Sequence, residues 1–319
     1  MHRFLRPPLA SLAVALLGLA ACSDARLPPG DAPAVIDDRG RVHAATPPRT
    51  RIISLVPGIT ETLVAIGAAD LLVARTRYDD QEVLAHLPSV GGGLDPSLEF
   101  LADLNPELMV LWQDVGGSGA LSGRLEDLGI AAYQVDVEEI ADFRRHARNL
   151  GQMIDRRIAA ETLVEEVDRG LNQVAEAVSS LPSPSVLYLV QSNPPMGVGP
   201  GTFLDSLIVV AGGTNVLREA AGRWPLVSLE DALWRDPAYV VVPVVDLAAP
   251  SPVAEGVPEP LRWLTTDPGW SEVGAVREGR VVAVDAGLFG RPGPRMAEAA
   301  RYLASQLHPG AFKAGPPSR

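Results

Sequence analysis

The stretch Asp155–Leu181, DRRIAAETLVEEVDRGLNQVAEAVSSL, reads as one long helix, with no proline and no glycine before Gly170. Leu163, Val167, Leu171, Val174, Val178 and Leu181 recur at intervals of four, four, three, four and three. That spacing puts them on one side of a 3.6-residue-per-turn helix, opposite Glu161, Glu165, Asp168 and Gln173. About 25 residues span roughly 37 Å at 1.5 Å per residue, longer than an average globular helix. On either side the chain alternates short apolar runs with helical ones, the signature of α/β units. The simplest architecture is two α/β lobes joined by a rigid helical spine. A surface helix inside a single domain would carry the same stripe, so the flanking segments must decide.

Upstream, residues 1–21 read as an address rather than as structure. Arg3 and Arg6 form a basic start, and Leu9 to Leu19 is an apolar core too short to span a bilayer. It ends in Leu19-Ala20-Ala21-Cys22, and Cys22 is the only cysteine. A buried structural cysteine would not need that placement, which resembles the lipobox of bacterial lipoproteins. Cys22 is therefore expected to carry the lipid that anchors an exported protein to a membrane. With no second cysteine there is no internal disulfide, and the core alone must stabilise the fold. The full chain carries 27 basic and 39 acidic residues, a net charge of −12. Loss of Arg3 and Arg6 with the leader lowers the basic count to 25 and the net charge to −14. Such a surface has no basic patch to follow a phosphate backbone, so a nucleic-acid partner is excluded.

Residues 22–48 read as a lipidated tether followed by a small hairpin, with Val35-Ile36 and Arg41-Val42 flanking Asp37-Asp38-Arg39-Gly40. Residues 49–153 form the first lobe. Arg51 to Val56 is a buried strand, Pro57-Gly58 turns into a helix over 59–66, and a strand follows at Leu71 to Ala74. Three glycines, Gly91 to Gly93, let the backbone approach a neighbour closely. Asp95-Pro96 starts a short helix, and strands at 107–112 and 131–135 alternate with helices at 120–128 and 138–153. The spine occupies 154–182. The second lobe, 183–308, repeats the plan: a strand at 186–190, a loop at 191–200, a helix at 202–211 and a strand at 239–242. A proline-rich loop at 243–260, a strand at 280–284, a loop at 287–294 and a helix at 295–307 complete it. The tail 309–319 is expected to be disordered.

The two lobes echo one another. Ser97-Leu98-Glu99 is followed by Pro106 and the apolar run from Leu108, and Ser228-Leu229-Glu230 by Pro237 and the run from Tyr239. In both cases the proline comes seven residues after the glutamate. Negative charge complements a helix N-terminus, which explains each glutamate singly. The matched placement suggests instead one acidic knob per lobe, offered to basic sockets on a partner.

With these pieces assembled, the chain resembles the helical-backbone class of bacterial periplasmic binding proteins, which serve ABC importers for vitamin B12, haem and ferric siderophores. The matching pieces are RIISLVPGITETLVAIG at 51–67, SLEFLADLNPELMVLW at 97–112, NPPMGVGPGTFLDSLIVVAGGTN at 193–215 and WPLVSLEDALWRDPAYVVV at 224–242. Within the class it looks closest to the vitamin B12-binding branch. The resemblance implies two Rossmann-like α/β lobes, a single long rigid helix between them and a ligand cleft where the lobes face each other. It further implies a monomer that delivers cobalamin or cobinamide to a permease dimer with its ATPase subunits, docking through Glu99 and Glu230. Tyr78, Trp112, Met196, Trp224, Phe289 and Arg291 match ligand-facing positions. An aromatic of the class is missing at Gly91 to Gly93, and Met196 stands where the class has phenylalanine.

Tyrosine and tryptophan offer broad rigid surfaces with one hydrogen-bonding point each, which suits a flat macrocycle. Tyr78 could also ligate haem iron through its phenolate, which makes haem the nearest alternative ligand and a ferric siderophore the next. His2, His43, His86, His146 and His308 show no metal-ligand spacing, and no motif for a resident cofactor is present. No nucleophile elbow, phosphate-binding loop or HExxH supports an enzyme. A scaffold or adhesion lipoprotein without a ligand is the alternative of a different kind, and a binding-competent cleft separates the two.

Overall fold

The computed structural model describes residues 33–92, 98–113, 118–245 and 259–312. The leader, Cys22, the Asp95-Pro96 helix start, Gly93 and much of the proline-rich loop lie outside the described residues. β1 (Ala34–Ile36) and β2 (Val42–Ala44) pair antiparallel around Asp37 to Gly40, as the hairpin reading expected. β3 (Ile52–Ser54) leads into α1 (Pro57–Ala65), whose first residue is proline, suited to a position that needs no N–H donor. With α2 (Leu98–Asp103), β4 (Leu108–Trp112), α3 (Ser118–Asp127) and β5 (Ala131–Val135) they form the first lobe, a parallel sheet in the order β3-β4-β5.

After α4 (Ile140–Met153) and α5 (Arg157–Val178) comes the second lobe. Its elements are β6 (Ser185–Ser192), β7 (Pro195–Gly197), α6 (Phe203–Val210), β8 (Thr214–Asn215), α7 (Leu229–Arg235), β9 (Tyr239–Val244), α8 (Glu259–Thr266), α9 (Gly274–Arg277), β10 (Val281–Asp285), α10 (Ala286–Phe289) and α11 (Met296–Leu307). β8, β6, β9 and β10 run parallel, and β7 adds an antiparallel edge to β6.

The spine stripe is buried as its period requires. Leu163, Val167, Leu171, Val174 and Val178 are all buried on α5, joined by Ala160 and Val164. Leu181 falls beyond the helix end and is 37% exposed. Each fully buried Val or Leu contributes about 1.5–3 kcal/mol of apolar burial. The stripe belongs to one hydrophobic cluster that takes in Ile59, Leu63 and Phe143 of the first lobe and Leu207, Leu303 and Leu307 of the second. Asp155, with φ +58°, turns the chain between α4 and α5, a conformation that aspartate tolerates better than most residues. Across that turn Arg144 and Arg148 on α4 pair with Asp168 and Glu161 on α5.

Gly170 does not break this helix. A Cβ there would lie 2.6 Å from the Ala297 Cβ of α11, so the glycine lets α11 pack against the spine. Helix propensity alone would reward its replacement by about 1 kcal/mol, but overpacking costs about 1–3 kcal/mol. Gly170→Val is therefore expected to lower the urea midpoint. An unchanged midpoint would mean that α11 shifts without cost.

Several expected elements differ. At Leu71 to Ala74 a 3-10 turn over Ala69–Leu71 leaves only Leu72 to bridge Ile52, so no strand forms. The loop at 191–200 contains β7, and the loop at 287–294 begins inside the single turn of α10. The tail is placed as far as Phe312, which bridges Pro309.

Candidate functional site

The lobes meet around a cavity of about 660 Å³, within the usual range of roughly 300–1,000 Å³ for small-molecule sites. Its walls come from the start of α1, the loop carrying Tyr78 and Asp80, the end of β4 at Trp112, Val137 after β5, and residues 285–292 of the second lobe. Tyr78, Trp112 and Arg291 are thus brought together from three distant parts of the chain. The Tyr78 side is 52% exposed, while Trp112 is half-buried and packs by its inner edge on the core.

Arg291 reaches across the cavity floor. Its Nη1 donates to Glu61 Oε1 at 2.8 Å and lies 3.4 Å from Asp80 Oδ1, and its Nη2 donates to the Tyr78 carbonyl at 2.7 Å. Glu61 sits in α1 and is only 8% exposed. Burial pushes its carboxyl up, and the hydrogen bond and charge of Arg291 pull it back. The two backbones also touch: a Cβ on Gly58 would lie 2.8 Å from the Pro292 carbonyl oxygen, and one on Gly293 would lie 3.2 Å from the Gly58 carbonyl oxygen. Only glycine allows that approach. Asp285, on the same floor, accepts from Leu288 N at 2.7 Å and caps α10.

A second contact between the lobes closes another side. The Phe203 N–H donates to the Glu138 carbonyl at 2.5 Å, and Trp224 hydrogen-bonds the Glu138 carboxylate. Burial pushes Asp136 and Glu138 up, each helped by a neighbouring carboxylate, while Arg223 pulls both back. Trp224, expected against the ligand, is therefore engaged in fastening the lobes and does not line the cavity. Met196 lies on the edge strand β7, where it bridges Leu226, and is likewise away from the cavity lining. Phe289 is corrected more firmly. It is 1% exposed, with ring centroids 6.4 Å from Tyr188 and 6.2 Å from Tyr302, so it belongs to the core.

Sequence reading missed Glu61, Asp285 and Val137. A lone carboxylate among the apolar residues of ITETLVAIG was the available signal for Glu61, because an acid buried on a helix needs a partner. Among the described residues no group of three or more His, Cys, Asp or Glu is placed to hold a metal ion.

Glu99 and Glu230 are both exposed, in the first turns of α2 and α7. Each helix feeds an inner strand of its parallel run, β4 or β9. The echo extends to the backbone: Asn105 (φ +46°) and Asp236 (φ +42°) take the left-handed conformation just before Pro106 and Pro237. At α7, Ser228 Oγ accepts from Asp231 N at 3.1 Å and caps the helix.

Two lobes packed on a helical spine around a cavity define a class of binding protein, and comparison with known proteins agrees. The periplasmic binding protein family model matches residues 52–288, well over half of the chain. The chain belongs to the periplasmic binding protein family, a family of binders rather than enzymes. It is 26% identical over 289 residues to YvrC, an uncharacterized ABC transporter substrate-binding lipoprotein of Bacillus subtilis (strain 168), covering 88% of this chain and 87% of that one. It is 23% identical over 261 residues to the vitamin B12-binding protein of Vibrio cholerae serotype O1 (strain O395), covering 82% and 90%. Among solved structures, the periplasmic heme-binding protein RhuT from Roseiflexus sp. RS-1 aligns with a TM-score of 0.70 at 23% identity, covering 82% of this chain and 99% of that one. At that identity the likeness speaks for the fold alone.

Proposed function

We propose that this protein is the substrate-binding lipoprotein of an ABC importer, monomeric and anchored through Cys22, and that its cargo is a corrinoid such as cobalamin or cobinamide. The cleft holds one corrinoid between Tyr78 and Trp112, the α5 spine keeps the lobes at a fixed spacing, and Glu99 and Glu230 meet the permease. The relatives named as vitamin B12-binding proteins support this reading at 23–26% identity.

The observation that carries the choice of ligand is the charge of the cavity floor. Arg291 is the one basic side chain among the described lining residues, and it is already committed to Glu61, Asp80 and the Tyr78 carbonyl. Asp80 and Asp285 line the same floor. Carboxylates accept hydrogen bonds, so they suit the amide-rich edge of a corrinoid and repel haem propionates or an anionic siderophore chelate. Aromatic faces serve either macrocycle. Haem is the second reading, favoured by the exposed phenol of Tyr78 at the cavity, where it could meet iron.

Visible absorbance decides between them, because corrinoids and haem absorb differently. Titration with dicyanocobinamide or cyanocobalamin is expected to give a one-to-one complex. Trp112→Ala should weaken that complex by about 1–3 kcal/mol, the cost of losing substantial apolar contact. A tight haemin complex whose spectrum changes in Tyr78→Phe, with no corrinoid uptake, would transfer the assignment to haem.

A further inference from the structure

We propose that Glu61 is a specificity-determining residue of the cleft: by holding Arg291 it withholds the cleft's guanidinium from the ligand and so selects macrocycles edged by amides over those edged by carboxylates. The inference rests on the corrinoid reading for its choice of ligand, but its logic concerns edge charge alone.

Three observations carry it. First, Glu61 has no exposed task. It lies on α1 at 8% exposure, outside the cavity lining, and its carboxylate accepts from Arg291, 230 positions along the chain and on the opposite lobe. Second, Arg291 is held in place. The close approach of Gly58 to Pro292 and Gly293 fixes the backbone beside it, and the Tyr78 carbonyl takes its second terminal nitrogen. A guanidinium held at that distance cannot swing to another acceptor, so its effective charge is set by what pairs with it. Third, the pair is poorly hydrated, with the Arg291 side chain 17% and that of Glu61 8% exposed. Opposite charges cancel one another most completely where water does not screen them. With Glu61 ionised, the one guanidinium is shared between Glu61 at 2.8 Å and Asp80 at 3.4 Å, so the described floor, with Asp80 and Asp285, stays net negative. If Glu61 is neutralised, Arg291 becomes a fixed positive group aimed at whatever occupies the cavity.

The test uses two corrinoids with the same ring and different edges: dicyanocobinamide, which carries amides, and dicyanocobyrinic acid, which carries carboxylates. Wild-type protein is expected to prefer the amide form. Glu61→Gln, which keeps the shape and removes the charge, should narrow that preference by about tenfold, the worth of one charge-assisted hydrogen bond. Arg291→Gln should widen the preference, because Asp80, which lines the cavity 3.4 Å from Arg291 Nη1, then faces the ligand without its cation. The double variant should return near the wild-type ratio.

Opposite shifts from the two single variants are the signature, since mere loosening of the lobes would weaken both corrinoids alike and leave their ratio unchanged. If Glu61→Gln folds poorly, the widened ratio in Arg291→Gln still tests the idea, and a narrowed or constant ratio there overturns it. A protein that binds neither corrinoid but whose Glu61→Gln form gains haemin affinity, lost again in the double variant, would keep this role for Glu61 and discard the corrinoid reading. Corrinoid binding with no change of ratio in either single variant would do the reverse.

Discussion

Changing Glu99 and Glu230 together to alanine is expected to lower affinity for the permease by about 3–6 kcal/mol, enough to abolish transport, while ligand affinity stays where it was. The magnitude is that of two charge-assisted hydrogen bonds at roughly 1.5–3 kcal/mol each. Both carboxylates are exposed, and both stand in the first turn of a helix, where the backbone favours negative charge. Each helix ends in a left-handed residue before a proline and then enters a central strand, so the two glutamates occupy matching places in the two lobes. A permease built from two like subunits would meet that repeat with a repeated basic socket. Leu233 and Trp234, three and four residues after Glu230, lie on the same face of α7. Trp234 is 79% exposed, with the Arg235 guanidinium 5.6 Å from its ring centroid. Neither glutamate lines the cavity. Charge reversal to arginine should be worse than alanine, because it adds repulsion to the lost bond. The measurements are ligand binding to the soluble variant and binding of the variant to its permease in membranes. Intact docking of the double variant, or a parallel fall in ligand affinity, would sink this separation of surfaces.

How much of this could be read in advance depended on how local the cause was. The α5 stripe was legible because 3.6-residue periodicity is a property of adjacent turns and survives any tertiary context. The hairpin at Asp37 to Gly40 and the strands β3, β4, β5, β6, β9 and β10 were legible from equally local signals, turn residues and short apolar runs, whereas the two-residue β8 was too short to show. β7 was not, because Pro195-Met196-Gly197 has weak strand propensity and exists only as an edge paired to β6. Leu71 to Ala74 has the composition of a strand, but a single bridge to Ile52 is all the sheet offers it. The candidate site divides in the same way. Tyr78, Trp112 and Arg291 could be named from resemblance, and they do share one cavity. Phe289 could not be separated from them by type, and the aromatic neighbours Tyr188 and Tyr302 draw it into the core. Glu61 was invisible because its meaning lies in a residue on the other lobe.

The other large effect is expected at Asp38, where Asp38→Ala should destabilise the fold by about 1–3 kcal/mol, the usual cost of leaving a buried polar group, here the His146 N–H, without its hydrogen-bond partner. Its carboxylate accepts from His146 Nε2 at 2.8 Å, from the Asp136 N–H at 2.5 Å and from Arg145. The chain of bonds continues inward: Asn149 donates to the Tyr133 hydroxyl, and that hydroxyl meets His146 Nδ1 at 2.8 Å. A neutral His146 with its proton on Nε2 satisfies every member, with Tyr133 donating to Nδ1. His146 is fully buried, so without Asp38 its N–H has no acceptor and Arg145 loses a counter-charge. Asp38→Asn should cost less, since one oxygen still accepts.

The pH dependence follows from the same contacts. Burial pushes the Asp38 carboxyl up, but His146, the Asp136 N–H and Arg145 together outweigh it and hold the group below its ordinary value of 3.8. A depressed carboxylate contributes its full stability above that value and loses it as pH falls through the folded-state pKa. Urea midpoints of wild type and Asp38→Asn should therefore differ at neutral pH and converge in acid below 3.8. A gap that stays constant across that range would show that the charge of Asp38 is not what the cluster uses. The consequence reaches the cleft as well. Asp136 is followed by Val137, which lines the cavity, and by Glu138, which fastens the second lobe through Phe203 and Trp224. The hairpin that carries Asp38 thus buttresses one wall of the site from behind. Asp38→Ala should weaken ligand binding as well as stability, although no atom of Asp38 lines the cavity.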